Sequence, residues 1–419
     1  MFRKIEVRHY KCLRRVSVRL MPFNILIGPN ASGKSTLLDV FKFLQDSIED
    51  DAVEAVKSRA NALRELVWRH EQEAHGFEFA VEADIPKRLQ AKGYDRIRYE
   101  LGIGVGKDGE GIVVTGENLW LVSGSQRVAQ LSPAQRSLFP IEQKDEPVVH
   151  PSGAKTPKGY RVVVRKVKPG GNDYFRSERT GWNITFRLSP KRLALSGLPE
   201  DENRFPVSLW FREFLRSGIQ TLQLNSVAMR RPCPSDAPLV FQPDGSNLPV
   251  MVKMLRNEYP DRFKWWIGHL QTVLEDLEDI EVKERPEDRS QYLMIRYRHQ
   301  LSVPAWILSD GTLRLLALTL IAYLPPNERV FLIEEPENGI HPRAIEAVFQ
   351  ALSSVYEGQV FLATHSPLFM ALAKPEDLLV FGKTESGATD IVRGSDHPAL
   401  QDWRAQQPLD VLFAAGVLG

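Results

Sequence analysis

The sequence predicts an α/β fold built around a parallel sheet buried on both faces, and three observations carry that expectation. Two runs, "RVFLIEE" and "GQVFLATHS", are almost continuously apolar over the length of a strand, the pattern of strands covered on both sides. A helical stretch beginning near Pro342 lies between them, and strand–helix–strand in that order is the parallel crossover unit. Near the N-terminus, "NILIG" leads into "GPNASGKSTLLDVFKFL", where strand spacing gives way to helical spacing after Lys34.

The remaining elements follow in order. "RKIEVRHY" and "RVSVRLMPFNILIG" alternate and are rich in β-branched residues, so they read as strands. After Lys34 the residues Leu37, Leu38, Val40, Phe41 and Phe43 give a helix its apolar side. A second, charged helix is expected over 52–67, and a strand at "FEFAVEADI". From 86 to 239 the pattern loosens into strand-like runs ("RIRYELGIGV", "YRVVVRKV", "WNITFRL") with Gly- and Pro-rich joints between them. This segment is read as an inserted, mixed, strand-rich region that splits one domain into 1–85 and 240–419. Beyond it, "PDGSNLPVMVKML" and "DRFKWWIGHLQTVLEDL" are helical and "YLMIRYRH" is a strand. "SDGTLRLLALTLIAYL" is a helix with Ser309 or Asp310 as its N-cap.

Composition limits the function classes. Hydrophobic content of 43% and charged content of 26% are those of a soluble globular chain. A net charge of +1 excludes non-specific attraction of the whole molecule to nucleic acid, leaving only a local patch. Cys12 and Cys233 are far apart and show no metal-ligand spacing, which suits a reduced, cytosolic chain. No signal-peptide pattern opens the sequence and no apolar run reaches the roughly 20 residues of a bilayer span, so a cytoplasmic protein without a membrane partner is expected.

Two motifs carry chemistry. Gly28, Pro29, Asn30, Ala31, Ser32, Gly33, Lys34 and Ser35, followed by Thr36, fit G-x-x-x-x-G-K-[ST] between a strand and a helix. Such a loop turns backbone N–H groups onto phosphates, Lys34 supplies a positive charge and Ser35 a hydroxyl for Mg2+. The second motif is the carboxylate pair Glu334–Glu335 at the mouth of an apolar strand. Desolvating two acids there requires a cation. Glu334 is expected to hold the Mg2+ carried by ATP. Glu335, one residue on and across the pleat, is expected to orient the attacking water or accept its proton.

Three further stretches carry a family resemblance. "LSDGTLRLLAL" resembles the signature motif of ABC-type ATPases, "THS" resembles their switch-histidine segment, and "EEPENGIHP" resembles the Walker B and D-loop segment of the SMC, RecF and OLD-like branch. Their order along the chain is that of the branch, over 1–85 and 245–419, and "DWRAQQPLDVLFAAGVLG" resembles its closing segment. The resemblance implies a P-loop NTPase, ABC-type head with mixed parallel and antiparallel sheets, pairing head-to-tail with a second copy around two ATP molecules. Ser309 and Gly311 of one copy would meet the γ-phosphate held by Lys34 of the other, and His365 would contact it from its own subunit. Gln72 is a weak match to the Q-loop. The branch further suggests DNA-related or antiphage work through a separately encoded nuclease or Toprim-type effector. No heptads predict a rod between the motifs, and too few residues follow His365 for a Toprim domain, so this chain is not expected to be a nuclease.

Residues 151–195 hold eleven Lys and Arg against two acids, with aromatics interleaved. This stretch is read as a nucleic-acid surface, a protein-partner surface, or a solvated strand face balanced by acids elsewhere. For the whole protein, a slowly hydrolysing ATP-driven switch stands beside two alternatives, an ATP-binding scaffold that scarcely hydrolyses and a transporter-type ATPase subunit.

Overall fold

A computed structural model of the protein describes residues 1–68, 75–90, 93–106, 111–124, 143–151, 153–166, 173–326 and 328–401. The first half forms β1 (Phe2–Tyr10), β2 (Leu13–Arg19), β3 (Phe23–Ile27), α1 (Lys34–Glu49), α2 (Ala52–Lys57), β4 (Gly76–Asp84), β5 (Arg96–Val105), β6 (Ile112–Val122), β7 (Tyr160–Lys166), β8 (Asp173–Arg176) and β9 (Asn183–Phe186). The second half adds α3 (Pro206–Ser217), β10 (Ile219–Leu222), α4 (Ser226–Met229), α5 (Leu248–Glu258), α6 (Pro260–Gln271), β11 (Leu277–Glu284), β12 (Gln291–Tyr297), β13 (Leu301–Pro304) and α7 (Asp310–Tyr323). It closes with β14 (Val330–Glu334), α8 (Pro342–Ser353), β15 (Gln359–Ala363), α9 (Pro367–Leu372), β16 (Leu378–Lys383), β17 (Thr389–Arg393) and α10 (Pro398–Gln401).

Six strands form the central sheet in the order β10-β14-β15-β3-β16-β17, all parallel except the final hairpin. Its apolar runs follow from burial on both sides. Val330 and Leu332 of β14 enter one core, and Phe331 and Ile333 enter the other. The first core lies between this sheet and an eight-stranded antiparallel sheet ordered β2-β1-β4-β5-β6-β7-β8-β9. Helix α1 fills that space, and Phe41 packs on Phe2 of β1 (5.0 Å) and on Phe361 of β15 (4.8 Å). The second core is built by α5 to α9 with the small sheet β11-β12-β13. Among the described residues, no helix is long and apolar enough to cross a membrane.

The α/β expectation with mixed sheets is met, while two details differ. The charged helix stops at Lys57 rather than running to 67, because Arg59 turns back to bond Asp39 (2.7 Å) and Asp46 (2.8 Å) on α1. The segment 86–239 is not set apart from the rest: β5 to β9 continue the sheet begun by β1, β2 and β4. Its last part is further embedded, since α3 packs on α1 and β10 pairs in parallel with β14. Gln72, Lys168 and the segment 402–419 lie outside the described residues.

Candidate functional site

The phosphate loop joins β3 to α1, and its two outer glycines are required by geometry. Gly28 has φ 147°, and a Cβ there would lie 2.4 Å from the Phe381 carbonyl oxygen on β16. Gly33 has φ 105°, and a Cβ would meet Thr389 Oγ1 at 2.7 Å and Cys12 Sγ at 3.0 Å. Gly33 is also the N-cap of α1, where no side chain caps the first amides and no acid occupies the first turn. A helix start left with free N–H groups and a favourable dipole suits an anion. Ser32 is fully buried, and its carbonyl accepts from the Thr389 hydroxyl (2.8 Å).

The Lys34 ammonium is buried and donates to the carbonyls of Gly28 (2.8 Å) and Pro29 (2.9 Å). Burial lowers its pKa, and Glu334 and Glu335 partly oppose that shift. At the C-terminal end of β14, Glu334 accepts a hydrogen bond from Ser35 Oγ, so the two residues expected to share a metal are in direct contact. Glu335 departs from the expectation of a residue across the pleat. The strand ends at Glu334, and Glu335 takes φ 47°, in the left-handed region, with its amide on the Ala363 carbonyl (2.8 Å). Backbone strain of this kind, about 1–3 kcal/mol, persists where surrounding contacts hold it and clusters at functional sites. Here Asn338 Nδ2 holds Glu335 Oε2 at 2.5 Å.

The neighbouring strand β15 delivers Thr364 and His365. Glu337 Oε1 accepts from Thr364 Oγ1 (2.6 Å) and from the His365 amide (3.2 Å). Because β14, β15 and β3 are adjacent and parallel, their C-terminal ends open on one side of the sheet, where α/β proteins bind ligands. A cleft of about 500 Å³ lies there, lined by Asn30, Ala31, Ser32, Gly33, Lys34, Ser35, Thr36, Glu334, Glu335, Ala363 and His365. Lys11 and Cys12, from the turn after β1, also line it. Sequence reasoning missed both; a loop between two strands carries no local mark of what it will face. Gly28 and Pro29 do not line the cleft and act through Lys34.

The donors present fit Mg2+. They are hard oxygens, one hydroxyl and one carboxylate in contact, and a Mg2+ held by one or two protein oxygens completes its shell with phosphates and water. Among the described residues, no three His, Cys, Asp or Glu gather to hold a metal alone.

Ser309 and Gly311 do not line the cleft. Ser309 caps α7, its Oγ accepting from the Thr312 amide at 3.1 Å. Gly311 packs on the loop after the carboxylates, and a Cβ there would lie 2.5 Å from the Gly339 carbonyl oxygen. The signature segment is thus seated on the loop that follows Glu334 and Glu335.

Known proteins resemble the chain in two segments and in overall fold. Residues 1–76 match a family model described as "AAA ATPase domain", and residues 246–371 match one described as "AAA domain, putative AbiEii toxin, Type IV TA system". The chain resembles the crystal structure of an SmcHead bound to the C-winged helix domain of ScpA, at 13% identity and TM-score 0.50, covering 93% of this chain and 97% of that one. It also aligns with the SMC head domain from Thermotoga maritima (11% identity, 94% and 98% covered, TM-score 0.44). A third match is an Smc head domain with an extended coiled coil bound to the C-terminal domain of ScpA, derived from Pyrococcus furiosus (11%, 93% and 95% covered, TM-score 0.49). No curated protein matches the chain. The chain therefore carries two segments similar to AAA ATPase domains on a fold similar to that of an SMC head.

Proposed function

We propose that the protein is an ATP-driven conformational switch whose heads pair around bound nucleotide and hydrolyse it slowly. One observation carries the reading. A single cleft gathers Lys34, Ser35, Glu334, Glu335 and His365, while the signature residues Ser309 and Gly311 remain outside it. In this reading the amides of the phosphate loop and Lys34 grip the triphosphate. Ser35 and Glu334 would hold a Mg2+, which when bound neutralises phosphate charge. Glu335, fixed by Asn338, orients the attacking water and accepts its proton, and His365 faces the γ-phosphate. Ser309 and Gly311 of a second copy complete the site.

Glu335→Gln tests this, because it removes both the base and a negative charge beside the γ-phosphate. Turnover should fall by roughly 10²- to 10⁴-fold, and ATP should convert the variant to a dimer in sedimentation velocity. Ser309→Arg should block that dimer with nucleotide binding intact, and Lys34→Ala should weaken binding itself by about tenfold to a hundredfold. A variant that binds ATP and stays monomeric would remove the composite site.

The biological setting is a DNA-related or defence process acting through a separately encoded effector. What supports this is the toxin–antitoxin description of the family model over 246–371. The nucleic-acid reading of 151–195 rests on the exposed cations Lys155, Lys158, Arg176, Arg179, Arg187, Lys191 and Arg192. Three other cations of that stretch are committed within the fold. Lys166 is buried and donates to the Ser189 and Arg192 carbonyls, Arg165 lies over Trp120, and Arg161 bonds the Ser177 and Thr180 carbonyls.

A further inference from the structure

The third residue of the signature, Asp310, is an acid, and its position raises an electrostatic problem. Asp310 is the first residue of α7, next to the N-cap Ser309 and about 3.8 Å along the chain from it. A carboxylate in a helix's first turn interacts favourably with the dipole. An incoming phosphate seeks the same N–H groups and the same end of the dipole, so Asp310 would repel it.

The answer lies on another element. Arg230, which follows α4, pairs with Asp310 Oδ1 at 2.5 Å. The same guanidinium donates to the Leu308 carbonyl, at 2.8 Å from Nη2 and 3.3 Å from Nε. One side chain therefore grips both neighbours of Ser309. An isolated surface ion pair contributes little. Here the arginine is half-buried, and its planar fork reaches a carboxylate and a backbone carbonyl together, which a point charge would not reproduce.

We propose that Arg230 is a positioning residue for the signature: it clamps the residues on either side of Ser309 and neutralises Asp310, so that α7 accepts the triphosphate bound by a second copy. The inference rests on the composite-site reading above and adds to it a residue from outside every motif.

The test uses the full chain in the Glu335→Gln background, with dimerisation in ATP measured by sedimentation equilibrium and ATP binding measured on the monomer. Arg230→Ala should weaken the dimer at least tenfold, the scale of a like charge left facing a phosphate, with monomer affinity for ATP unchanged. Adding Asp310→Gly to that variant should restore the dimer to within about threefold of the parent, a coupling that a double-mutant cycle isolates. Asp310→Gly alone should dimerise at least as tightly as the parent. Arg230→Gln serves in place of the alanine variant should the latter lose ATP binding and so report misfolding. Equal dimerisation of Arg230→Ala and its parent overturns the proposal, as does a double variant no tighter than Arg230→Ala. If the Glu335→Gln parent itself binds ATP but never dimerises, the composite site fails first, and the two failures are told apart.

Discussion

Glu337 does not line the cleft, yet the loop bearing His365 is tied to it through the Thr364 hydroxyl and the His365 amide. Glu337→Ala should therefore lower kcat about tenfold or more, the scale of a hydrogen bond to a charged group, with KM for ATP little changed. Glu337→Gln keeps an accepting oxygen and should recover part of the loss; steady-state kinetics on both variants separates positioning from binding. At this scale the sequence was legible where chemistry follows a local grammar. The loop from Gly28 to Ser35 and the pair Glu334–Glu335 could be found because spacing and flanking strands announce them. Lys11, Cys12 and Arg230 could not, since each reaches its place through sheet register or tertiary packing. The left-handed turn at Glu335 was equally hidden, as glutamate has no preference for it.

Among elements, α7 was readable in its apolar length and to within one residue of its cap, which is Ser309, and α2 was not, because ion pairs from Arg59 to α1 override helical pattern beyond Lys57. Strand β6 also escaped notice: Thr115, Gly116, Glu117 and Asn118 interrupt its alternation. Glu117 is fully buried and accepts from Tyr99 and from the amides of Ala194 and Leu195, partners drawn from distant segments. The seating of α7 on the loop after β14 gives a prediction at this level. Gly311→Ala places a methyl 2.5 Å from the Gly339 carbonyl and must shift one element against the other. ATP binding to the monomer should be retained, and ATP-dependent dimerisation should weaken at least tenfold, by about 1.4 kcal/mol; titration calorimetry beside sedimentation would show the split.

For the whole molecule, acid stability should be governed in part by the antiparallel sheet. Burial alone would raise the Glu6 carboxyl, but Arg98, Lys4 and Arg15 outweigh it and bring the pKa from its ordinary 4.5 down to about 2. A depressed carboxyl stabilises the fold fully above its unfolded pKa, and the contribution is lost as pH falls from about 4.5 through about 2. Glu6→Gln should flatten the pH dependence of the denaturant midpoint in that window. The basic surface also has its test at this scale. Reversing the exposed Lys155, Lys158, Arg176, Arg179, Arg187, Lys191 and Arg192 to glutamate should abolish salt-sensitive DNA retention with the fold intact, and unchanged retention would rule out a nucleic-acid role for 151–195.

Thr389, at the start of β17, donates its hydroxyl to the Ser32 carbonyl (2.8 Å) and its amide to the Cys12 carbonyl (3.0 Å). Some 357 positions of chain separate the threonine from the serine. During synthesis, then, the phosphate-gripping turn leaves the ribosome 357 positions ahead of the threonine that braces it. Ribosome-bound fragments halted before 389 should lack a finished pocket, which delays nucleotide capture until β17 has paired with β16.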